Sequence, residues 1–279
     1  MTIAAPDRTA VLAGLFEQWD VLAHLTDGLD ETSWRTPSPL PGWTVFDVLA
    51  HVVGTESMLL GEPVPEVDTD VRALPHIRND IGALNEAWLE SLRPLTGAQL
   101  LQRFSEVTGR RRTALTALDD AAWKNETTSP VGQVAYGRFM RVRLFDCWMH
   151  QLDITDALGG DPDALGMTEG GARAGLAIDE IEASLGRVVV KRGGATDGSA
   201  ITFALTGPLQ RTINVRVDGR AEVVETLDRS ADVVIRLSSG LFARLCGGRT
   251  TAAERRDGIT VDGDGELGTR ITENLAFTI

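Results

Sequence analysis

The sequence predicts a two-domain protein, in which an all-α antiparallel helical bundle over residues 1–165 precedes an α+β domain over residues 166–279. Three observations predict this fold class. In the first half, apolar residues recur at the spacing that places them on one face of a helix. In the second half, short runs rich in β-branched residues are separated by turn sequences, which is typical of strands. Residues 1–165 hold 24 acidic and 13 basic side chains, a charge of −11, and residues 166–279 hold 16 and 14, a charge of −2. Between the halves lies Gly159-Gly160-Asp161-Pro162, a sequence typical of a helix end followed by a linker.

Five amphipathic helices are predicted in the first half, separated by loops rich in proline or glycine. Their approximate ranges are 9–29, 44–60, 77–92, 97–118 and 137–158. Thr44 with Asp47 resembles a capping box, and Thr96 is the expected N-cap of the fourth helix. Helices of this length joined by loops favour an antiparallel bundle.

The second half combines helices and strands. A helix is predicted over about 169–185, and strands are predicted at 188–190, 201–204, 213–217 and 233–235. Further helices are predicted at about 241–245, 251–256 and 265–275. The strand at 213–217 alternates apolar and polar residues, as expected for a sheet covered on one face.

The composition argues against several classes of protein. A formal charge of −13 and a pI near 4.8 disfavour binding to nucleic acid or to an anionic membrane surface. No apolar run reaches the roughly 18 residues of a membrane span. Residues 1–10 do not show a secretory pattern, so we expect a cytoplasmic protein. Cys147 and Cys246 are too few for a disulfide framework and are expected to be reduced thiols.

Polar side chains occupy positions where the helical pattern calls for apolar ones. His51 lies in an apolar run of the second helix, and Asp146 and His150 share one face of the last helix of the bundle. Burying a carboxylate beside imidazoles is costly unless a cation compensates, and two imidazoles with one carboxylate form a known catalytic zinc set. Asp153 would then orient an imidazole. The alternatives are an ordinary side-chain pair on a helix and a satisfied core histidine.

Several segments of the chain resemble the mycothiol-dependent maleylpyruvate isomerase family. In the first half these are Trp34, the stretch Pro39–His51 with its Pro41-Gly42-Trp43-Thr44 loop, and the stretch Arg143–Ile154; in the second they are 231–235, 247–249 and 261–264. The resemblance covers nearly the whole chain. It implies a DinB-like antiparallel four-helix bundle for the first domain and a sterol-carrier-like α+β fold for the second.

The resemblance also implies a site and a chemistry. The family's metal triad of His, Glu and His falls on His51, Asp146 and His150, so that the glutamate is replaced by a side chain one methylene shorter. Zinc, or another divalent metal, is the implied cofactor, and mycothiol is the implied thiol cosubstrate. The implied reaction is cis–trans isomerisation of a maleylpyruvate-like compound or thiol transfer to an electrophile. Arg249 is the candidate for holding a substrate carboxylate, with Arg256 as an alternative.

Two other functions are also compatible with the sequence. One is a noncatalytic protein that binds a small molecule or lipid and carries a degenerate metal site, and the other is a metal-independent thiol transferase. The GxGxxG match at 263–268 does not predict a nucleotide site, because Asp264 and Glu266 would repel a pyrophosphate. The run Arg110-Arg111-Arg112 is expected on a solvated helix face. The sequence predicts no oligomeric state.

Overall fold

The computed structural model describes residues 6–160 and 169–278 of the chain. The chain divides into two compact units, Met1–Met167 and Thr168–Ile279. The first unit is mainly helical and the second contains the larger sheet, which confirms the predicted fold class. The predicted domain boundary at 165/166 lies outside the described residues.

The first unit is built around four long helices. Its elements are α1 (Arg8–Thr26), α2 (Glu31–Trp34), α3 (Val45–Leu59), a 3₁₀ turn (Val71–Ala73), α4 (Asp80–Leu92), α5 (Gly97–Thr116), α6 (Asp120–Lys124), the hairpin strands β1 (Glu126–Ser129) and β2 (Gly132–Ala135), and α7 (Tyr136–Ala157). Helices α1, α5, α3 and α7 contact one another in that order as a closed ring, and α4 packs against α3. Because each long helix has two long neighbours, the apolar stripes enclose one core, as in a four-helix bundle.

Side-chain caps determine where the helices of the bundle begin. Thr44 and Asp47 form the predicted capping box at α3, and Thr96 and Gln99 form another at α5. Asn79 caps α4 by accepting from a backbone N–H of its first turn. Each cap pairs backbone N–H groups that have no partner within the helix. The cap at Thr44 therefore defines the first residue of α3 and, with it, the directions in which the side chains of α3 point.

The second unit places helices against a five-stranded sheet. Its elements are α8 (Gly171–Lys191), β3 (Ala200–Thr206), β4 (Arg211–Asp218), β5 (Arg220–Val224), β6 (Val233–Ser238), α9 (Ser239–Cys246), a 3₁₀ turn (Arg256–Gly258), β7 (Thr260–Gly263) and α10 (Gly265–Glu273). The strand order is β5-β4-β3-β6-β7, with β3 and β6 parallel and the other neighbours antiparallel. Helix α8 packs on β4 and β5, and α9 and α10 pack on β6. Ile213, Val215 and Val217 alternate with more exposed residues, as predicted for a sheet covered on one face.

The structure corrects some predicted elements. Residues 188–190 continue α8 and do not form a strand, because Val188 and Val189 are buried on the same apolar stripe as Ile181 and Leu185. Residues 251–256 form turns that lead into a 3₁₀ turn rather than an α-helix. The hairpin of β1 and β2 was not predicted. No helix within residues 6–160 and 169–278 is long and apolar enough to cross a membrane.

Candidate metal centre

His51 is positioned by the loop that precedes α3. Pro37 and Thr44 pair as an isolated β-bridge across this loop, and Gly42 has a φ of +81°, which favours glycine. The next residue, Trp43, places its ring 5.3 Å from the ring of His51. The loop and the cap of α3 therefore position the indole over the buried imidazole.

Helix α7 supplies the other side chains of the centre. Asp146, His150 and Asp153 lie on one face, because residues three and four apart are neighbours on a helix surface. His150 and Asp153 are buried, whereas 32% of the Asp146 side chain is exposed. Since α7 packs against α3, this face meets the helix that carries His51. The centre is therefore most accessible at Asp146.

The structure brings His51, Asp146 and His150 together. His51 Nε2 lies 3.3 Å from Asp146 Oδ2, and His150 Nε2 lies 3.6 Å from Asp146 Oδ1. One potential ligand atom from each residue lies within 4.8 Å of the others. A tetrahedral zinc ion with ligands at about 2.1 Å holds them about 3.4 Å apart, so a small closure of these side chains fits them to such an ion.

The two imidazoles are held differently. His150 Nδ1 lies 3.0 Å from Asp153 Oδ2, and because an ionised carboxylate only accepts, this nitrogen carries the hydrogen. The lone pair of neutral His150 is then on Nε2, facing Asp146. In contrast, His51 Nδ1 is buried with no hydrogen-bond partner among the described residues. The arrangement at His150 is the carboxylate–imidazole pair that typically supports a metal ligand.

A buried chain of charges continues from the centre into the bundle. Arg143 Nη1 donates to Asp146 Oδ2 at 2.5 Å, and Arg143 Nε donates to Glu56 Oε1 at 3.0 Å. Glu56 Oε2 accepts from Arg111 Nε at 2.8 Å. The prediction of a solvated face at 110–112 is wrong for Arg111, which is 2% exposed, because Glu56 neutralises it inside the bundle.

The sequence pattern does not indicate a role for Arg143, Glu56 or Arg111. One signal was available: Glu56 is an acidic residue five positions after His51, in a helix whose other residues are mostly buried. An unpaired carboxylate there would be costly, so a basic partner from another helix is required. The spacing within α3 does not say which helix provides that partner.

These charges shift the pKa values of the metal-free centre. Burial lowers the pKa of His51. Burial also disfavours the charged form of His150, but Asp146 and Asp153 outweigh it and raise the pKa of His150 to about 9. Desolvation opposes ionisation of Asp146, yet Arg143 and His150 hold its pKa well below the usual range. The centre therefore contains an ionised carboxylate that attracts a cation, either a proton on His150 or a metal.

The candidate substrate arginines belong to the second unit. Arg249 follows α9, and its Nη1 donates to the Gly247 carbonyl oxygen at 2.6 Å. Arg256 begins the 3₁₀ turn and is exposed. A carboxylate-binding role for either arginine stays a prediction.

The glycine-rich segment at 263–268 is closely packed. A Cβ at Gly263 would lie 2.2 Å from the Asp232 carbonyl oxygen, and a Cβ at Gly268 would lie 2.3 Å from the Val261 side chain. Contacts within the second unit therefore account for these glycines without a phosphate ligand.

Comparison with protein families identifies both parts of the chain. The family model described as "Mycothiol maleylpyruvate isomerase N-terminal domain" matches residues 15–155, and the one described as "MDMPI C-terminal domain" matches residues 175–270. The first match includes His51, Asp146 and His150.

Among curated proteins, two described as uncharacterized, from two strains of Mycobacterium tuberculosis, are similar to this chain. Each is 28% identical over 156 residues, which cover 55% of this chain and 58% of the relative. The match thus spans less than two thirds of the length of these curated relatives.

Solved structures of similar fold align with most of this chain. A crystal structure of the mycothiol-dependent maleylpyruvate isomerase has a TM-score of 0.60 at 18% identity, covering 92% of this chain and 93% of the other. A histidine-to-alanine mutant of that enzyme has a TM-score of 0.57 at 17% identity, with the same coverage. These structures show the shared fold, and the family models show the relationship. The chain belongs to the mycothiol maleylpyruvate isomerase family.

Proposed function

We propose that this protein is a metal-dependent enzyme that uses mycothiol as a low-molecular-weight thiol. Its reaction is either cis–trans isomerisation of a maleylpyruvate-like compound, by addition and elimination of the thiol, or transfer of the thiol to an electrophile. The observation that carries the proposal is the convergence of His51, Asp146 and His150 on one point in a member of this family. We further propose that it acts in the cytoplasm, where its two free cysteines stay reduced.

The residues of the centre fit zinc or another divalent ion. When bound, the ion would hold the thiol as a thiolate, because a coordinating thiol is deprotonated. His51 and His150 would bind it through Nε2, and Asp146 would supply a carboxylate oxygen. Asp153 keeps the hydrogen of His150 on Nδ1 and so leaves Nε2 free to bind.

The surroundings of the centre support a reactive thiol. The indole of Trp43 lies 5.3 Å from the ring of His51 and 6.3 Å from that of His150, so an apolar surface lies beside both imidazoles. The exposed fraction of Asp146 leaves an approach for small molecules.

We also propose that Arg249, a residue of the second unit, holds the carboxylate of the electrophilic substrate through its bidentate guanidinium.

Metal analysis combined with an activity panel tests this function. Purified protein should contain about one zinc per chain, and this zinc should be absent from His150→Ala. The protein should isomerise maleylpyruvate only when mycothiol is added, or consume mycothiol with simple electrophiles. His24→Ala is the matched control, because His24 is exposed. Activity that survives both a strong chelator and His150→Ala would overturn the proposal in favour of a metal-independent thiol transferase.

One observation favours a noncatalytic alternative. Arg143 already neutralises Asp146 at 2.5 Å, and the carboxylate is one methylene shorter than the glutamate of the family triad. A degenerate site of this kind would suit a protein that only binds a small molecule or lipid. Metal-free protein with unchanged ligand binding in His150→Ala would support this alternative.

A further inference from the structure

The centre is joined to a buried pair of arginines that share one carboxylate. Glu56 is completely buried and accepts from Arg111 at 2.8 Å and from Arg143 at 3.0 Å, each time from Nε. Both arginines are also buried. One carboxylate compensates only one of the two positive charges, and the second is compensated by Asp146. From the bundle interior to the centre, positive and negative side chains therefore alternate, in the order Arg111, Glu56, Arg143 and Asp146.

This arrangement restricts the orientation of Arg143. Its Nε is held by Glu56 and its Nη1 by Asp146 Oδ2, so two different groups of the planar guanidinium are engaged on two carboxylates. A planar fork that is held at two points has little freedom to rotate. The position of Nη1, and hence that of Asp146 Oδ2, depends on Glu56 from the neighbouring helix.

The two oxygens of Asp146 consequently have different surroundings. Oδ2 accepts from Arg143 and lies 3.3 Å from His51 Nε2, whereas Oδ1 lies 3.6 Å from His150 Nε2. A carboxylate with one oxygen engaged by a guanidinium presents the other to a cation. Of the two oxygens, Oδ1 is the one with no arginine contact among the described residues.

We propose that Glu56 is a positioning residue of the metal centre: through Arg143 it orients the Asp146 carboxylate for binding the cation. This inference rests on the proposed metal-dependent function and adds two residues that act through Asp146 without touching the cation. Partners that orient ligands typically contribute 10- to 100-fold to metal affinity.

The test weakens the positioning contact, from an ion pair to a hydrogen bond with a neutral amide, without leaving an unpaired charge. In the double variant Glu56→Gln/Arg111→Met, one negative and one positive group are lost together, and the Arg143–Asp146 pair keeps its opposite charges. The matched control is Glu62→Gln/Arg110→Met, which removes an ion pair between α5 and the segment that follows α3. This pair is partly exposed and does not contact Arg143. Arg143→Lys is a second variant, since it keeps the charge but loses the planar fork.

The readouts are zinc affinity by competition with a chromophoric chelator and the visible absorption of cobalt-substituted protein, which reports ligand geometry. We expect the Glu56 double variant and Arg143→Lys to bind zinc about 10- to 100-fold more weakly, with an altered cobalt spectrum. The control should differ from wild type by less than about twofold, because its ion pair is separate from the ligands. Circular dichroism checks folding, and if the double variant does not fold, Arg143→Lys decides by the same criterion.

The possible failures are distinguishable. If wild-type protein binds zinc and the folded variants bind it equally well with the same cobalt spectrum, the positioning role is overturned and the proposed function stands. If wild-type protein binds neither zinc nor cobalt, the proposed function is overturned and the inference with it.

Discussion

At the scale of single residues, the candidate centre is asymmetric. His150 is oriented by Asp153 through a buried contact of 3.0 Å, whereas His51 is held by the helix that carries it and by packing against Trp43. Asp146 is held by an arginine rather than by backbone donors. The three potential ligands are therefore oriented in different ways: His150 by a hydrogen bond, His51 by packing and Asp146 by an ion pair.

The contact between Asp153 and His150 leads to a prediction about metal affinity. Asp153→Asn keeps the volume of the side chain but removes its negative charge, so the imidazole becomes less basic and less firmly oriented. We expect zinc to bind about 10-fold more weakly, measured by chelator competition. Asp156→Asn is the control, since Asp156 is exposed on the same helix. Equal zinc affinity of Asp153→Asn and wild type would contradict this role.

At the scale of elements, α3 connects the stability of the bundle to the geometry of the centre. Its capping box at Thr44 begins the helix, the preceding loop carries Trp43, and its second turn carries His51. Helix α5 has a capping box of the same kind at Thr96 but does not carry a residue of the triad. Comparing variants that lack one cap or the other therefore distinguishes a general effect on stability from a local effect on the site.

We expect Thr44→Ala and Thr96→Ala each to lower the free energy of unfolding by about 1 kcal/mol, the usual cost of losing an N-cap. Urea denaturation of the metal-free protein measures this loss. Only Thr44→Ala should also weaken zinc binding, because the start of α3 positions both Trp43 and His51. Similar zinc affinities in the two variants would show that the cap does not influence the centre.

A second element-scale prediction concerns the segment that follows α3. Partial burial raises the pKa of Glu62, but a hydrogen bond from Arg110 and the charge of Arg103 outweigh it and hold the pKa below its ordinary value. A carboxyl whose pKa is lower in the folded state stabilises the fold above its unfolded pKa, and this contribution is lost as the pH falls through the folded pKa.

Wild type should therefore be more stable than Glu62→Gln near neutral pH, by at most about 1 kcal/mol because the ion pair is partly exposed. The difference should shrink as the pH is lowered below about 4.3, the ordinary pKa of a glutamate. Urea denaturation at several pH values measures it. A difference that stays constant down to pH 3 would mean that Glu62 stabilises the fold by packing and not by charge.

At the scale of the whole molecule, the triad belongs entirely to the first of the two compact units. A ligand that binds only the folded state stabilises the unit that contains its site. The second unit has its own core between the sheet and helices α8, α9 and α10. Metal should therefore stabilise the bundle against unfolding.

Calorimetry of the full chain with and without zinc checks this expectation. Zinc at about 100 times its dissociation constant should add about 2.7 kcal/mol to the stability of the first unit. For a unit of this size that corresponds to a rise of roughly 5–10 °C in its unfolding temperature. His150→Ala should abolish the rise. An equal rise in His150→Ala would place the zinc elsewhere.

Much of the fold is predictable from local sequence because helix periodicity and capping act over neighbouring residues. The capping box at Thr44, the N-cap at Thr96, the long helices of the bundle and the alternating strand β4 all follow from such patterns. Prediction fails where a local preference opposes a longer pattern. Val188-Val189-Val190 favours a strand by residue type, but burial of the stripe on α8 makes it helical.

The candidate site, too, is only partly predictable from local sequence. The helix period alone marks three polar groups at apolar positions, because that conflict is visible within one helix; these are His51, Asp146 and His150. The packing of the helices connects these groups to Glu56, Arg143 and Arg111 and buries Arg111, which the local pattern does not predict. The physical reason is that the partner of a buried charge is selected by the packing of distant helices, and spacing along one helix carries no information about which residue on another helix will face it.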